Sequence, residues 1–241
     1  MAPPNVTFEF VDHPTENLAE EAKEVFAGVM KHDPVAKCLT GGDLNLIPLL
    51  GLTFLRALLL SPGVSHMFTA RDDTGALVGF TVFTLPGQLM LSTQEQRENA
   101  KLSEFASQLS EAGREFYAET MDKLIPKAND KAFGIEDSER NTYWCNFAMV
   151  RSDYQGKGVA KALFRLAFKE ASIASADKLG ATVALTTTNE INVPIYEKIG
   201  FQQPDEKVTY MSPWTEWYLW FFNRSPSGSK SATEVITQER V

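Results

Sequence analysis

A glycine-rich turn between a strand and a helix constrains this chain more than any other segment of its sequence. Tyr143–Val150 is an apolar run bounded by polar residues, which is typical of a central strand buried on both faces. Gly156 and Gly158 follow, and residues 159–172 have the apolar spacing of a helix. Glycines let a backbone approach a ligand closely, and the first turn of a helix offers unpaired N–H groups. The segment therefore predicts a phosphate-binding turn in a fold of mixed strands and helices.

Two common phosphate-binding patterns do not fit this turn. A Walker-type loop requires Gly-x-x-x-x-Gly-Lys-Ser/Thr, and the sequence contains no such string. The dinucleotide pattern Gly-x-Gly-x-x-Gly requires a third glycine at the position where this chain has Lys161. What remains is Gln155-x-x-Gly158-x-Ala160.

A second motif lies one predicted helix and one predicted strand further along the chain. Asn189 and Asn192 precede a Tyr-x-x-x-Gly-Phe string that begins at Tyr196. Together the two motifs resemble the pyrophosphate loop and the Asn…Tyr-x-x-x-Gly-Phe segment of the GCN5-related N-acetyltransferase (GNAT) superfamily. The resemblance is specific over residues 140–203, and over residues 1–92 it rests only on the order of strands and helices.

This resemblance implies an α/β (α+β) fold of the GNAT acyl-CoA N-acyltransferase type. Such a fold has a mixed, mostly antiparallel twisted sheet flanked by helices, here with a helical insertion before the central strand. We expect one domain over residues 1–224, with the insertion over about 94–140. The Ser- and Gly-containing residues 225–241 are predicted to form a flexible tail.

The predicted insertion carries half of the chain's net negative charge. The chain has 23 Lys and Arg against 31 Asp and Glu, a formal charge of −8, and this balance argues against nucleic-acid binding. Residues 94–140 hold 11 acidic and 7 basic residues, whereas the glycine turn is locally basic. Phe105, Leu109, Ala112 and Phe116 have the spacing of one helical stripe. The insertion is either a charged helix with one packed face or a cap over a substrate pocket, and any role for the acidity lies on the amine side.

The resemblance also implies which residues bind coenzyme A. The central strand would part from the next strand, and coenzyme A would lie in the gap. The last residues of the strand would pair with the pantetheine arm, the amides of the glycine turn would hold the pyrophosphate, and one of the two asparagines would contact the pantetheine or adenine side. The implied binding residues are Ala148, Met149, Val150, Gln155, Gly156, Lys157, Gly158, Val159, Ala160, and Asn189 or Asn192.

The implied chemistry is the attack of a neutral amine on a thioester, which requires a base for the ammonium proton and an acid for the leaving thiolate. Tyr196 holds the position of the family's usual general acid, and the alternative is that its ring only packs under the cofactor. The strand before the turn offers no ordinary base at pH 7. On that strand Asn146 would act through water, and Cys145 is predicted to pack.

A second candidate base comes from the segment after the first predicted helix. Lys31-His32-Asp33-Pro34 resembles a segment of insect arylalkylamine N-acetyltransferases in which an acidic residue before proline acts as the base through water. Asp33 holds that position. The alternative is that Asp33 and Pro34 only end the helix, and His32 is predicted to be exposed to solvent.

We therefore predict a cytoplasmic enzyme that transfers the acetyl group of acetyl-CoA to a primary amine of a small molecule by direct attack in a ternary complex. The alternatives are an acetyltransferase for protein N-termini or lysines, and a non-catalytic coenzyme A sensor. Two cysteines exclude a disulfide framework, and three scattered histidines argue against a metal site. No segment predicts a signal peptide or a membrane span. We expect a monomer or a homodimer that binds neither nucleic acid nor membrane.

Overall fold

The computed structural model describes residues 5–174 and 181–225. The predicted tail over 225–241 lies outside the described residues apart from Ser225, and the domain limits 1–224 stay a prediction. None of the described helices is long and apolar enough to cross a membrane.

A seven-stranded mixed sheet forms the centre of the fold, with the strand order β1-β2-β3-β4-β5-β7-β6. Neighbouring strands are antiparallel except for β4 and β5, which are parallel. The predicted mixed, mostly antiparallel sheet is confirmed. The strands are β1 (Val6–Val11), β2 (Ser65–Asp72), β3 (Leu77–Thr84), β4 (Tyr143–Val150), β5 (Val183–Thr187), β6 (Val208–Met211) and β7 (Glu216–Arg224).

Helices cover both faces of the sheet. The face that packs against α1, α3 and the helices between β3 and β4 is called the α1 face, and the face that packs against α9 and α10 is called the α9 face. The α-helices are α1 (Glu16–Met30), α2 (Ala36–Leu39), α3 (Ile47–Leu59), α4 (Gln94–Asn99), α5 (Leu102–Gln108), α6 (Glu111–Phe116), α7 (Ile125–Phe133), α8 (Ser138–Asn141), α9 (Val159–Ala174) and α10 (Val193–Ile199).

Local sequence signals explain where the helices near the site begin and end. The Thr15 hydroxyl accepts a hydrogen bond of 3.3 Å from the Leu18 amide and so caps α1. Gly200 has a φ of +108° directly after α10, a conformation in which glycine ends a helix at low cost.

The single helical stripe predicted for the insertion is wrong. Leu109 and Ser110 are extended, with ψ of 142° and 163°, and they separate α5 from α6. The Ser110 hydroxyl then caps α6 by accepting a hydrogen bond of 3.1 Å from the Gly113 amide. Phe105 and Phe116 are nevertheless buried. The insertion is therefore a set of short helices, including a π-helix at Tyr117–Leu124.

Candidate active site

β4 and β5 stay paired only where they begin. Tyr143 pairs with Val183, and Trp144 pairs with Ala184. The Tyr143 amide donates a hydrogen bond of 2.9 Å to the Thr182 carbonyl oxygen. Beyond these pairs β4 continues to Val150, and none of the residues that the structure describes pairs with it on this side, so a gap opens between the two strands.

A bulge in β4 lies where the gap opens. Cys145 and Phe147 pair with neighbouring residues of β3, so Asn146 between them is an extra residue. A bulge bends the strand that carries it, and this bulge lies next to the point where the pairing of β4 with β5 ends. The Asn146 amide donates to the Thr84 hydroxyl at 3.3 Å and to the Trp144 carbonyl at 3.2 Å. Asn146 thus uses its donor group within the sheet.

Beyond the bulge, β4 directs backbone groups into the gap. The Arg151 amide donates a hydrogen bond of 2.9 Å to the Val78 carbonyl of β3. Backbone groups of successive strand residues point to alternate sides, so Ala148 and Val150 present theirs to the gap, and Met149 between them pairs with β3. The Gln155 side chain donates to the Val150 oxygen at 2.9 Å. This edge of β4 is suited to an extended ligand that carries amide groups.

The glycine turn has the backbone of an anion-binding loop. Gly156 and Gly158 have φ of +71° and +85°, a region that glycine adopts without steric cost. α9 begins at Val159, so the turn leads directly into a helix N-terminus. The Arg151 guanidinium is paired with the Asp153 carboxylate at 2.7 and 2.9 Å. An anion at this turn would therefore meet backbone amides, whereas the Arg151 guanidinium is already paired.

Asp33 lies next to the residue that follows β5. The Thr188 hydroxyl donates a hydrogen bond of 2.7 Å to Asp33 Oδ1, and the Val35 amide donates to the same oxygen at 3.0 Å. Burial raises the pKa of the Asp33 carboxyl, and the two hydrogen bonds act in the opposite direction. Thr188 directly precedes Asn189 of the second motif. Asp33, although 155 positions away in sequence, is thus beside the end of β5.

Tyr196 packs within the α9 face below the gap. Its ring contacts Phe164, Phe201 and Phe222, with centroid distances of 5.9, 5.9 and 5.3 Å. Burial raises the pKa of the Tyr196 phenol, and the nearby Cys145 and Asp33 raise it further. The phenol is therefore protonated at neutral pH, which is the form that a general acid requires.

The two candidate asparagines shape the turn after β5. Asn189 Oδ1 accepts a hydrogen bond of 3.1 Å from the Ile191 amide and caps a short 3₁₀ helix. The Asn192 side chain donates to the Thr187 hydroxyl at 3.0 Å. Their roles toward coenzyme A stay predictions.

Thr188 was not among the residues that the sequence pointed to. The only signal for it is its position between a predicted strand and Asn189 of the motif. His32 is exposed, as expected from the sequence. Among the described residues, no group of three or more histidines, cysteines or carboxylates is arranged to hold a metal ion.

The insertion packs against the segment that follows Asp33. The Tyr117 hydroxyl donates a hydrogen bond of 2.8 Å to the Leu39 carbonyl, and the Ser110 hydroxyl donates to the Gly41 carbonyl at 3.2 Å. Gly41 and Gly113 pack backbone to backbone, since a Cβ on Gly41 would lie 3.2 Å from the Gly113 Cα. The insertion is thus fixed to residues 39–41.

The turn between β6 and β7 packs against the same segment. The Ser212 hydroxyl donates to the Thr215 carbonyl at 2.8 Å, so the Cys38 thiol is the donor in its 3.1 Å contact with Ser212. The Trp214 indole covers Gly42, where a Cβ would lie 2.5 Å from Nε1. Residues 38–42, the insertion and the β6–β7 turn therefore form one connected wall, which we call the three-part wall.

Comparison with known proteins identifies the type of domain. The family model described as an acetyltransferase (GNAT) domain matches residues 111–203, which include the glycine turn and Tyr196. Residues 111–203 therefore resemble a GNAT acetyltransferase domain. The predicted superfamily resemblance and the prediction of an acetyltransferase are both confirmed. No curated protein sequence matches the chain.

Solved structures share the fold of this chain at low sequence identity. The polyamine N-acetyltransferase of Drosophila melanogaster has a TM-score of 0.59 at 12% identity, over 92% of this chain and 100% of its own. Arylalkylamine N-acetyltransferase 2 of Aedes aegypti has a TM-score of 0.54 at 16% identity, over 92% and 99%. Arabidopsis thaliana NAA60, solved with a bisubstrate analogue, has a TM-score of 0.51 at 14% identity, over 92% and 100%.

Proposed function

We propose that this chain transfers the acetyl group of acetyl-CoA to a primary amine of a small molecule, by direct attack within a ternary complex. The observation that carries the proposal is the hydrogen bond between Thr188 and Asp33. It holds a partly buried carboxyl group beside the gap, at the end of the strand that precedes the Asn189 motif.

Two parts of the gap fit acetyl-CoA. The amides of the pantetheine arm would pair with the backbone of Ala148 and with the Val150 amide, and the pyrophosphate would bind the amides from Gln155 to Ala160. The bound thioester supplies the electrophilic carbonyl and the thiolate leaving group. Because the arm would run from the glycine turn toward the bulge, its sulfur end would lie near Asn146 and Cys145.

Asp33 would take the proton from the ammonium form of the substrate, directly or through one water molecule. An alkylammonium group is charged at neutral pH, and only the neutral amine attacks a thioester. A carboxyl group with a raised pKa is a better base at neutral pH than an ordinary aspartate, because the proton-transfer driving force increases with the pKa. Thr188 would hold the carboxylate in place while the second oxygen faces the substrate.

Tyr196 would protonate the departing thiolate. The phenol is protonated at neutral pH, because burial and two neighbouring groups raise its pKa. A thiolate has a pKa of about 8.5 and so accepts a proton from a donor held close to it. The ring packing against Phe164, Phe201 and Phe222 would fix the direction of that donor.

The three-part wall supports a small-molecule amine over a protein substrate. A polypeptide acceptor requires an open groove past residues 38–42. Here the insertion and the β6–β7 turn both pack onto those residues, through Tyr117, Ser110, Ser212 and Trp214. These contacts would narrow the route of an extended chain past residues 38–42. Two of the structural neighbours are named as acetyltransferases of small amines.

The proposal is tested by thiol release from acetyl-CoA with a panel of primary amines and, in parallel, with peptides that carry a free N-terminus or lysine. We expect release that depends on the amine, together with the acetylated amine as product. Acetylation of peptides alone would replace the proposal by a protein acetyltransferase. Coenzyme A binding without amine-dependent release would replace it by a sensor.

A further inference from the structure

Phe147 differs from the aromatic residues that surround it on the α1 face. Its packing partners Phe26 and Phe54 are 1% and 8% exposed, whereas Phe147 is only half-buried. Phe147 directly follows Asn146, the bulge residue near which β4 parts from β5. Its accessible ring therefore borders the opening of the gap.

A fixed aromatic stack supports this ring from behind. Phe26 meets it edge to face at a centroid distance of 5.5 Å, and Phe54 stacks against it at 6.3 Å. Phe26 in turn occupies the space over Gly51 of α3, where a Cβ would lie 2.4 Å from the Phe26 ring. The position of the Phe147 ring thus depends on residue 51 being a glycine, which leaves room for the Phe26 ring.

The two sides of the gap differ in chemistry. Cys145 and Tyr196 belong to the core of the α9 face, whereas Phe147 packs on the core of the α1 face. Asp33 follows α1 in the chain and reaches the end of β5 through Thr188. An amine whose nitrogen lies near Asp33 can therefore extend its carbon atoms along the α1 side, where Phe147 is half-buried.

We infer that Phe147 contacts the carbon skeleton of the amine and selects substrates whose skeleton is apolar. The inference rests on the proposed function. An apolar chain that packs against the Phe147 ring is removed from water, and this burial favours binding. A second ammonium group at the same place loses hydration that a cation–π contact with the Phe147 ring replaces only in part. Monoamines are therefore preferred over diamines of equal length.

The test measures kcat and KM for methylamine, hexylamine and 1,6-diaminohexane with the full chain. We expect the wild-type protein to favour hexylamine over the diamine in kcat/KM by about tenfold or more. Phe147→Leu is expected to lower kcat/KM for hexylamine by about tenfold, mainly through KM, and to change methylamine much less. Gly51→Ala, which displaces Phe26 toward Phe147, is expected to act in the same direction.

Two matched variants separate this effect from general damage. Phe10→Leu makes the same change at a half-buried ring that packs on Phe68 of the α9 face. Gly28→Ala makes the same change as Gly51→Ala in a neighbouring helix, where the new Cβ meets nothing within 4 Å. Both are expected to leave the hexylamine-to-methylamine ratio unchanged. If the wild-type protein acetylates amines but Phe147→Leu leaves the hexylamine-to-methylamine ratio unchanged, the inference is overturned and the proposed function stands. If the wild-type protein acetylates no amine, the proposed function is overturned as well.

Discussion

Thr188 donates a hydrogen bond of 2.7 Å to Asp33 and so joins the end of β5 to the segment that follows α1. The bond has two effects on the carboxyl group. It fixes one oxygen, and it lowers the pKa that burial has raised. Asp33 thus combines a defined position with a basicity above that of an exposed aspartate.

Replacement of Asp33 by asparagine removes the proposed base and keeps the size of the side chain. We expect turnover to fall by about 10²–10⁴. We also expect the rising limb of kcat/KM with pH to be lost, because no carboxyl group remains to be deprotonated. The check is the pH–rate profile with saturating acetyl-CoA. A profile identical to that of the wild type would assign the base to water or to Asn146.

Replacement of Thr188 by valine tests whether the rising limb of the pH–rate profile belongs to Asp33, and it leaves the carboxyl group in place. The Thr188 hydrogen bond lowers the pKa of Asp33, so its loss raises that pKa further. The rising limb of the pH–rate profile is therefore expected to move to higher pH in Thr188→Val. A shift to lower pH would contradict the assignment of the limb to Asp33.

Replacement of Tyr196 by phenylalanine removes the phenol and keeps the ring contacts with Phe164, Phe201 and Phe222. We expect turnover to fall by about 10²-fold, because the thiolate then leaves without a proton donor. The affinity for acetyl-CoA, measured by calorimetry, is expected to stay nearly unchanged. Turnover equal to that of the wild type from pH 6 to pH 9 would show that Tyr196 only packs.

Structural features that depend only on residues close together in the chain could be predicted from the sequence. The apolar run of β4, the glycine turn and the Gly200 cap were all predictable, because each follows from local spacing and backbone freedom. The break at Leu109 and Ser110 was not, since the stripe of apolar residues continues across it. The packing of Gly113 on Gly41 accounts for the break, and such a contact between distant glycines has no local signal.

In the candidate site, Thr188 and the exposure of Phe147 were not predicted, because they too depend on residues that are distant in sequence. A threonine between a strand and an asparagine motif is unremarkable in sequence, and its contact with Asp33 spans 155 positions. Asp33 itself was found only through the resemblance of its segment to that of a known family. The half-buried state of Phe147 depends on where β4 leaves β5, which no single strand pattern contains.

Gly42 lets Trp214 of the β6–β7 turn pack closely on its backbone, and Gly63 serves as the matched control. Both have a positive φ, of +94° and +73°, so alanine at either position strains the backbone by about 1–2 kcal/mol. At Gly63 the new Cβ meets nothing within 4 Å, whereas at Gly42 it lies 2.5 Å from Trp214 Nε1. Gly42→Ala is therefore expected to lose about 1–3 kcal/mol more in the free energy of unfolding than Gly63→Ala. Equal losses in urea titrations would show that Trp214 moves away without cost.

Glu139 makes the stability of the insertion depend on pH. Burial raises the pKa of its carboxyl, nearby Asp130 and Asp137 raise it further, and the 2.7 Å hydrogen bond from Asn129 opposes them. A raised folded-state pKa contributes stability that is present below the ordinary value of 4.5 and is lost as the pH rises through the folded-state pKa. The ionised, buried form that results costs free energy at neutral pH.

Glu139→Gln is accordingly expected to raise the free energy of unfolding by about 1 kcal/mol at pH 7.5, since the neutral amide has no charge to bury. The gain is expected to shrink as the pH falls toward 4.5, where Glu139 is protonated in about half of the unfolded protein and in more than half of the folded protein. The exposed Glu136, in the same loop, provides the control Glu136→Gln. Urea titrations of both variants at pH 4.5, 6.0 and 7.5 measure the difference. A Glu139→Gln gain that stays constant across this range would contradict the buried ionisation of Glu139.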